Sequence, residues 1–84
     1  MKLQIVAIKD SAVSAFNTPS FVQHVGVAVR SFTQAVNDPQ HDFFRTPADF
    51  ELYHLGEYDD QDGSIIQPDT PTRLVRGVDV KTQA

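Results

Sequence analysis

Short apolar runs and one longer apolar repeat predict four strands and a single helix in this chain. Residues 3–8 are apolar and rich in β-branched side chains, which is typical of a strand. Side chains alternate along a strand, which divides this segment into Leu3, Ile5 and Ala7 on one face and Gln4, Val6 and Ile8 on the other. Residues 10–20 are rich in serine, asparagine and proline, so a loop is predicted there.

An amphipathic helix is predicted over residues 23–37. Its apolar residues recur at three- and four-residue steps and form one stripe: Val25, Ala28, Val29, Phe32, Ala35 and Val36. Pro39 ends the helix, because a proline disfavours helical backbone in the residue before it. Residues 40–45 are predicted to be a loop. Residues 46–49 are predicted to form one helical turn, since a capping threonine precedes a proline but no apolar repeat follows.

Three further strands are predicted over residues 50–58, 64–67 and 72–80. Asp62-Gly63 supplies the positive φ angles of a hairpin turn between the first two, and Pro68 and Pro71 flank the next turn. The resulting β-α-β-β-β order predicts an α+β fold, a mainly antiparallel sheet with one helix on one face. Alternation along the last strand places Arg73 and Arg76 on opposite faces, with Arg76 beside Leu74 and Val78.

A single helix can cover only one face of this predicted sheet. The sheet faces are expected to carry apolar side chains on both sides, namely those of Val6, Ile8, Leu74, Val78 and Val80. Large exposed apolar surfaces usually mark an interface. A homodimer through the uncovered face is therefore expected, since a chain this short is otherwise marginally stable.

Composition excludes some classes of function but does not identify one. The chain has 84 residues, no cysteine and a net charge of −4, so one domain over residues 1–84 without disulfides is predicted. Residues 46–68 carry six acids and no lysine or arginine. Such a protein has no long-range attraction to nucleic acid, although a local cationic face remains open. No secretory signal or membrane-length apolar run is present, so a soluble intracellular protein without membrane contact is expected.

The residues give little support to an enzyme or a metal site. No serine lies in a nucleophile elbow, and the four glycines form no phosphate-binding loop. A site built from His41, His54 and acids is a minor alternative, because zinc ligands normally occur in close pairs. Residues 58–63 resemble part of a calcium loop, but Tyr58 stands at the first ligand position and Asp69 replaces the final glutamate. A nonenzymatic protein without cofactor or metal is therefore predicted, and the turn is read as structural.

Aromatic and cationic residues are the best candidates for a binding site. Single-stranded nucleic acid is bound by aromatic faces near cations. The candidate set comprises Arg45, Arg73, Arg76, Lys81, Phe43 and Phe44, and Phe43-Phe44-Arg45 is where the two residue types adjoin. Composition alone favours the simpler alternative, in which the phenylalanines anchor loops to the core.

Several ordered motifs resemble a known viral family. They are Phe-Thr-Gln-Ala-Val-Asn-Asp-Pro at residues 32–39, Phe-Phe at 43–44 and Pro-Ala-Asp-Phe-Glu-Leu-Tyr-His-Leu-Gly-Glu-Tyr-Asp-Asp at 47–60. Together with Ile8-Lys9-Asp10, they resemble the small nonstructural protein of the gokushovirus branch of the Microviridae, small icosahedral phages with single-stranded DNA genomes. Residues 22–27 depart from the family pattern, whose members often have a more charged helix start.

The resemblance implies a role in single-stranded DNA synthesis or packaging in the bacterial host cytoplasm, with no catalytic residues. Two function classes stay open. The first is a DNA-associated accessory protein that binds single strands weakly through the candidate set. The second is a protein-interaction module that regulates phage replication, assembly or a host factor without DNA contact, and docks through its acidic hairpin or its exposed sheet face.

Overall fold

A six-stranded antiparallel sheet and one main helix form the fold, in a computed structural model that describes residues 1–82. The strands are β1 (Lys2–Asp10), β2 (Ala15–Phe16), β3 (Ser20–Val22), β4 (Phe50–Asp59), β5 (Ile65–Ile66) and β6 (Thr72–Arg76). The helices are α1 (Val25–Val36), α2 (Asp42–Arg45) and α3 (Gly77–Val80), and Pro47–Asp49 forms a 3-10 turn. The predicted α+β class with one helix on one face of an antiparallel sheet is confirmed. No helix within residues 1–82 is long and apolar enough to cross a membrane.

The two long strands β1 and β4 form the centre of the sheet. They pair antiparallel from Lys2 opposite Asp59 to Asp10 opposite Phe50. The short strands β2 and β3 pair with the outer edge of β1, and β5 and β6 pair with the outer edge of β4. Each central strand is therefore flanked by two short segments that share one edge.

The helix α1 packs its predicted apolar stripe onto one face of this sheet. The buried core joins Ala28, Phe32 and Val36 of the helix to Val6 of β1 and Leu52 of β4. The stripe was predicted correctly, and α1 begins two residues later and ends one residue earlier than expected. Burial of large apolar side chains contributes about 1.5–3 kcal/mol each, so this contact stabilises the fold by several kcal/mol.

Two segments predicted as loops contain regular structure. Residues 10–20 include β2 and the start of β3, and Asn17 extends the pairing, since its backbone N–H donates to Ile8 O at 2.8 Å. Residues 42–45, also predicted as loop, form α2, where His41 Nδ1 accepts a hydrogen bond from the backbone N–H of Phe43. Both predictions failed because tertiary pairing and a side-chain cap stabilise segments that have no apolar repeat.

The prediction of a last strand over residues 72–80 is wrong beyond Arg76. Gly77–Val80 forms the short helix α3 instead. A Cβ atom on Gly77 would collide with the carbonyl oxygen of Pro47, so the glycine allows the chain to turn tightly against the 3-10 segment. Asn37 Nδ2 then donates to Val80 O at 2.9 Å, which ties α3 to the end of α1.

This turn also corrects the surface expected for a homodimer. Val6, Ile8, Leu74 and Val80 pack in or against the core beneath α1, and Val78 lies exposed on α3 rather than on a strand. Of the apolar residues on which the expected dimer surface rested, Val6, Ile8, Leu74 and Val80 therefore belong to the covered side, and Val78 belongs to neither face of the sheet. The uncovered face carries a different set of side chains.

Candidate nucleic-acid interface

A bulge in β6 brings Arg73 and Arg76 to the same face of the sheet. Arg76 lies opposite Glu51 and Arg73 lies opposite Tyr53, so Leu74 is an extra residue without a partner of its own. Glu51 and Tyr53 are two apart on β4 and share a face, and residues directly opposite each other also share it. The prediction that the two arginines point to opposite faces is therefore wrong, because a bulge shifts the alternation by one residue.

The face that the arginines share is the one opposite α1, called here the open face. Lys9 of β1 lies opposite Glu51 on this face, and Phe16 of β2 lies opposite Lys9. The rings of Phe16 and Tyr53 meet edge to face, with centroids 5.3 Å apart. The Nζ atom of Lys9 lies 5.8 and 5.9 Å from the two ring centroids, within the range of a cation–π contact. The set Lys9, Phe16, Tyr53, Arg73 and Arg76 is the cationic half of the open face.

The cations of this half are partly neutralised by carboxylates. Arg73 Nη1 donates to Glu51 Oε2 at 2.9 Å. Arg76 donates from Nε and Nη2 to the two carboxylate oxygens of Asp79, each at 3.2 Å. These hydrogen bonds lower the pKa of Asp79 and raise the pKa of Arg76. Three cations thus face two carboxylates, which leaves a small positive excess.

The other half of the open face is apolar. Phe21 of β3 lies opposite Ile5, and its ring meets that of Tyr58 edge to face at 5.5 Å. Leu3 and Ile65 lie opposite Tyr58 on either side. We call Leu3, Phe21, Tyr58 and Ile65 the apolar half. Ile5 and Ala7 are buried on this face, where Phe21 and Tyr53 are their cross-strand neighbours.

The remaining predicted site residues lie on the side that carries α1. The Phe43 ring lies between those of Phe32 and Phe50, tilted relative to both, with centroids 5.6 and 4.3 Å away, and so packs against the core. Lys81 Nζ lies 3.7 Å from the ring centroid of Phe44. Arg45 is exposed and faces Asp42 at 3.9 Å. The structure therefore divides the predicted set: Arg73 and Arg76 are on the open face, and Phe43, Phe44, Arg45 and Lys81 are not.

Three members of the cationic half were missing from the sequence prediction, namely Lys9, Phe16 and Tyr53. Lys9 continues the alternation of Leu3, Ile5 and Ala7, so its face could be read from the sequence. The strand pairing that brings Phe16 and Tyr53 beside Lys9 could not be predicted from the sequence. Pairing register depends on both strands and on the bulges between them, which a local pattern does not contain.

The histidines and the cleft under α1 offer little catalytic chemistry. His54 Nε2 hydrogen-bonds Gln4 Oε1 at 2.7 Å, and His41 caps α2. No group of three histidine, aspartate or glutamate side chains within residues 1–82 is placed to hold a metal ion. A cleft of about 250 Å³ between α1 and β1 has mainly apolar walls, with Asn17, Ser20 and Ser31 as its polar lining residues.

Comparison with known proteins identifies the family of this chain. The model of the Phage ORF5 protein family matches residues 3–80, which is nearly the whole sequence. No curated protein and no solved structure matches the chain. The match covers every strand and helix from β1 to α3 except the first residue of β1. The chain therefore belongs to the Phage ORF5 protein family.

Proposed function

We propose that this chain is a nonenzymatic accessory protein of a gokushovirus-type microvirus that binds single-stranded DNA weakly through the cationic half of its open face. It would act during DNA synthesis or packaging in the bacterial host cytoplasm. The phage family supports the viral context, and the motifs in residues 32–60 support the narrower lineage. The observation that carries the DNA contact is the β6 bulge, which brings Arg73 and Arg76 beside Tyr53 on one surface.

The side chains of the cationic half suit unstacked bases. Phe16 is 41% exposed, and it lies next to Tyr53 with Lys9 over both rings. A base stacked on an aromatic side chain contributes about 1–3 kcal/mol, and nearby cations contact the phosphates. Duplex DNA keeps its bases stacked inside the helix, so this surface favours single strands.

The charge distribution sets the expected affinity. Three cations are available per chain, so about three phosphates can be neutralised and the salt slope should be about −2. Glu51 and Asp79 compete with phosphate for the arginines. The net charge of −4 opposes long-range attraction. Binding is therefore expected to be modest and to weaken with a shallow salt slope.

The test is fluorescence anisotropy with a labelled single strand of about 30 nucleotides at low salt, a length that exceeds one small binding site. Lys9→Ala and Arg76→Ala should each weaken binding and make the salt slope shallower by about 0.7. Arg45→Ala is the control, because Arg45 is also an exposed cation but lies on the other side of the molecule. Absence of binding, or equal binding to duplex, would overturn the proposal.

Greater loss from Arg45→Ala than from Arg76→Ala would move the contact to the surface around Phe44 and Lys81, where the sequence also predicts one. Tyr53→Ala separates stacking from charge, since it should weaken binding without changing the salt slope. Thermal melts of each variant show whether the sheet remains intact.

A second candidate function is a protein-interaction module that regulates phage replication, assembly or a host factor. The exposed apolar half, in which Phe21 is 51% and Ile65 is 64% exposed, favours it. This candidate requires no salt-dependent binding to DNA. It therefore becomes the favoured function if the labelled single-stranded DNA does not bind.

A further inference from the structure

The apolar half of the open face exposes large apolar side chains. Phe21 and Ile65 are both more than half exposed. The Phe21 ring meets the Tyr58 ring edge to face, and Ile65 lies opposite Tyr58 on β5. Ile66 and Met1 lie near the same end of the sheet and are also more than half exposed. Exposed large apolar residues that adjoin in this way usually mark an interface.

Charge is arranged along the open face with opposite signs at its two ends. Lys9, Arg73 and Arg76 lie at the end of β4 near Glu51. Residues 59–63, which we call the acidic turn, lie at the other end beyond Tyr58 and carry Asp59, Asp60 and Asp62. Lys2, opposite Asp59, and the Met1 amino group, 2.8 Å from Asp60 Oδ1, neutralise this end only in part. The apolar half lies between the positive end and the negative end.

We propose that a second copy of this chain covers the apolar half, with a two-fold axis passing near Tyr58. This axis lies between the two sheets and runs across the strands, so the strands of one copy run opposite to those of the other. With a rise of about 3.4 Å per residue, an axis one residue from Tyr58, at the level of Glu57, lies about 10 Å from the acidic turn on one side and about 10 Å from Arg73 on the other. The acidic turn of each copy therefore lies over Arg73 and Tyr53 of the other.

This arrangement buries the apolar side chains that the isolated chain exposes and pairs charges of opposite sign. Phe21, Tyr58 and Ile65 of each copy pack on the same residues of the other, and the charges that meet are of opposite sign. A parallel arrangement would place the two acidic turns together and is disfavoured by repulsion. Arg73 and Tyr53 are covered in this dimer, so DNA would contact them only in the separate chain, whereas Lys9, Phe16 and Arg76 lie farther from the axis and stay accessible to a ligand.

The first test is sedimentation equilibrium of the full chain without DNA, so that its result is independent of the proposed function. A dimer is expected at micromolar concentration. Phe21→Glu and Ile65→Glu should each raise the dissociation constant at least about tenfold, as loss of a central apolar contact does. Val27→Glu is the matched control, because Val27 is 51% exposed on α1. A folded monomer, or equal weakening by Val27→Glu, would overturn the proposal.

The second test measures the orientation of the two copies. The chain contains no cysteine, so each introduced cysteine is unique. A mixture of Asp62→Cys and Arg73→Cys should cross-link with a short bismaleimide. Asp62→Cys alone should not, because the two acidic turns lie on opposite sides of the axis. Efficient self-cross-linking of Asp62→Cys, or absence of cross-linking in the mixture, contradicts the proposed axis even if a dimer forms.

Discussion

Arg73 and Glu51 form an ion pair across the β4–β6 register shift, with Nη1 2.9 Å from Oε2. The Glu51 side chain is only 17% exposed, whereas Arg73 is 53% exposed. The carboxylate therefore holds the arginine from beneath, and the outer side of the guanidinium faces solvent. Glu51 also lies opposite Lys9, so its carboxylate is at the centre of the cationic half.

Replacing Glu51 with glutamine should strengthen binding to single-stranded DNA. The substitution removes the negative charge that competes with phosphate for Arg73 and keeps a side chain of the same shape. We expect binding at low salt to be several-fold tighter and the salt slope to be steeper by up to about 0.7. Stability should change by less than about 1 kcal/mol, as is usual for an exposed ion pair.

Anisotropy titrations at several salt concentrations measure this effect. Asp42→Asn is the matched control, because it removes a carboxylate near Arg45 on the other side of the molecule. If Glu51→Gln and Asp42→Asn strengthen binding equally, the gain reflects net charge alone and the cationic half is not the contact.

Asn37 joins the end of α1 to the C-terminal segment. Its Nδ2 donates to Thr33 O at 2.8 Å and to Val80 O at 2.9 Å. Its Oδ1 accepts from the backbone N–H and the hydroxyl of Thr82, at 2.7 and 2.8 Å. Asn37→Ala removes all four bonds and should lower the free energy of unfolding by about 1–3 kcal/mol.

For a domain of this size, that loss corresponds to a fall in melting temperature of at least about 4 °C. Gln34→Ala provides the comparison, since Gln34 lies exposed in the same helix and should change the melting temperature little. An equal melting temperature for Asn37→Ala and the unmodified chain would show that these bonds contribute no net stability.

Local patterns predicted the elements that carry their own signal. The apolar stripe of α1 and the apolar run of β1 are periodic within one segment, and Asp62-Gly63 specifies a turn by itself. Gly63 does adopt a positive φ of 77°. The strand β4 was also predicted within one residue of its observed end.

The candidate site depended on features that no single segment contains. Leu74 became an extra residue in the β4–β6 ladder because of how two distant strands align. Gly77 ends β6 because Pro47, which is far away in sequence, packs against it. A shift of one residue in the register moves every following side chain to the opposite face of the sheet. The sequence prediction did not include this shift at Leu74, and it therefore placed Arg73 and Arg76 on opposite faces.

Two glycines should respond to alanine in opposite directions. Gly77→Ala places a Cβ atom against the Pro47 carbonyl oxygen, so α3 must move and the chain should be destabilised by more than about 1 kcal/mol. Gly26→Ala meets nothing within 4 Å and lies in α1, so it should stabilise by up to about 1 kcal/mol.

Thermal or urea unfolding of the two variants measures both effects under the same conditions. Equal stability of Gly77→Ala and the unmodified chain would show that α3 does not need the close approach to Pro47. Destabilisation by Gly26→Ala would show that the start of α1 is not helical in solution.

Asp79 should titrate below the usual aspartate value of 3.8, because hydrogen bonds from Arg76 favour its charged form. Because the pKa of Asp79 is lower in the folded chain than in the unfolded chain, its ionisation stabilises the folded chain at pH values above the unfolded-state pKa. This stabilisation is lost as the pH falls through the folded-state pKa. Carboxyl chemical shifts recorded against pH measure this pKa directly. In Arg76→Ala the pKa should return towards 3.8, and an unchanged pKa would assign the shift to another group.

The acidic turn should bind no calcium tightly, since its carboxylates already hold local donors. Asp59 Oδ1 accepts from Gln61 N at 3.0 Å, Asp62 Oδ1 accepts from Ser64 N at 2.9 Å and Asp60 Oδ1 pairs with the amino group of Met1 at 2.8 Å. The hydrogen bonds from Ser64 also lower the pKa of Asp62. The aspartates of this segment are therefore explained by the hydrogen bonds that they accept within the hairpin turn.

Melting curves with 1 mM calcium and with chelator test this prediction. A site with a dissociation constant of about 10 µM would add about 2.7 kcal/mol under these conditions, which corresponds to more than about 10 °C in this small domain. We expect the two curves to coincide. Asp62→Asn should lower the melting temperature slightly and by the same amount in both, because it weakens the bond to Ser64 whether or not calcium is present. A calcium-dependent rise of several degrees that Asp62→Asn abolishes would show that the turn is a cation site.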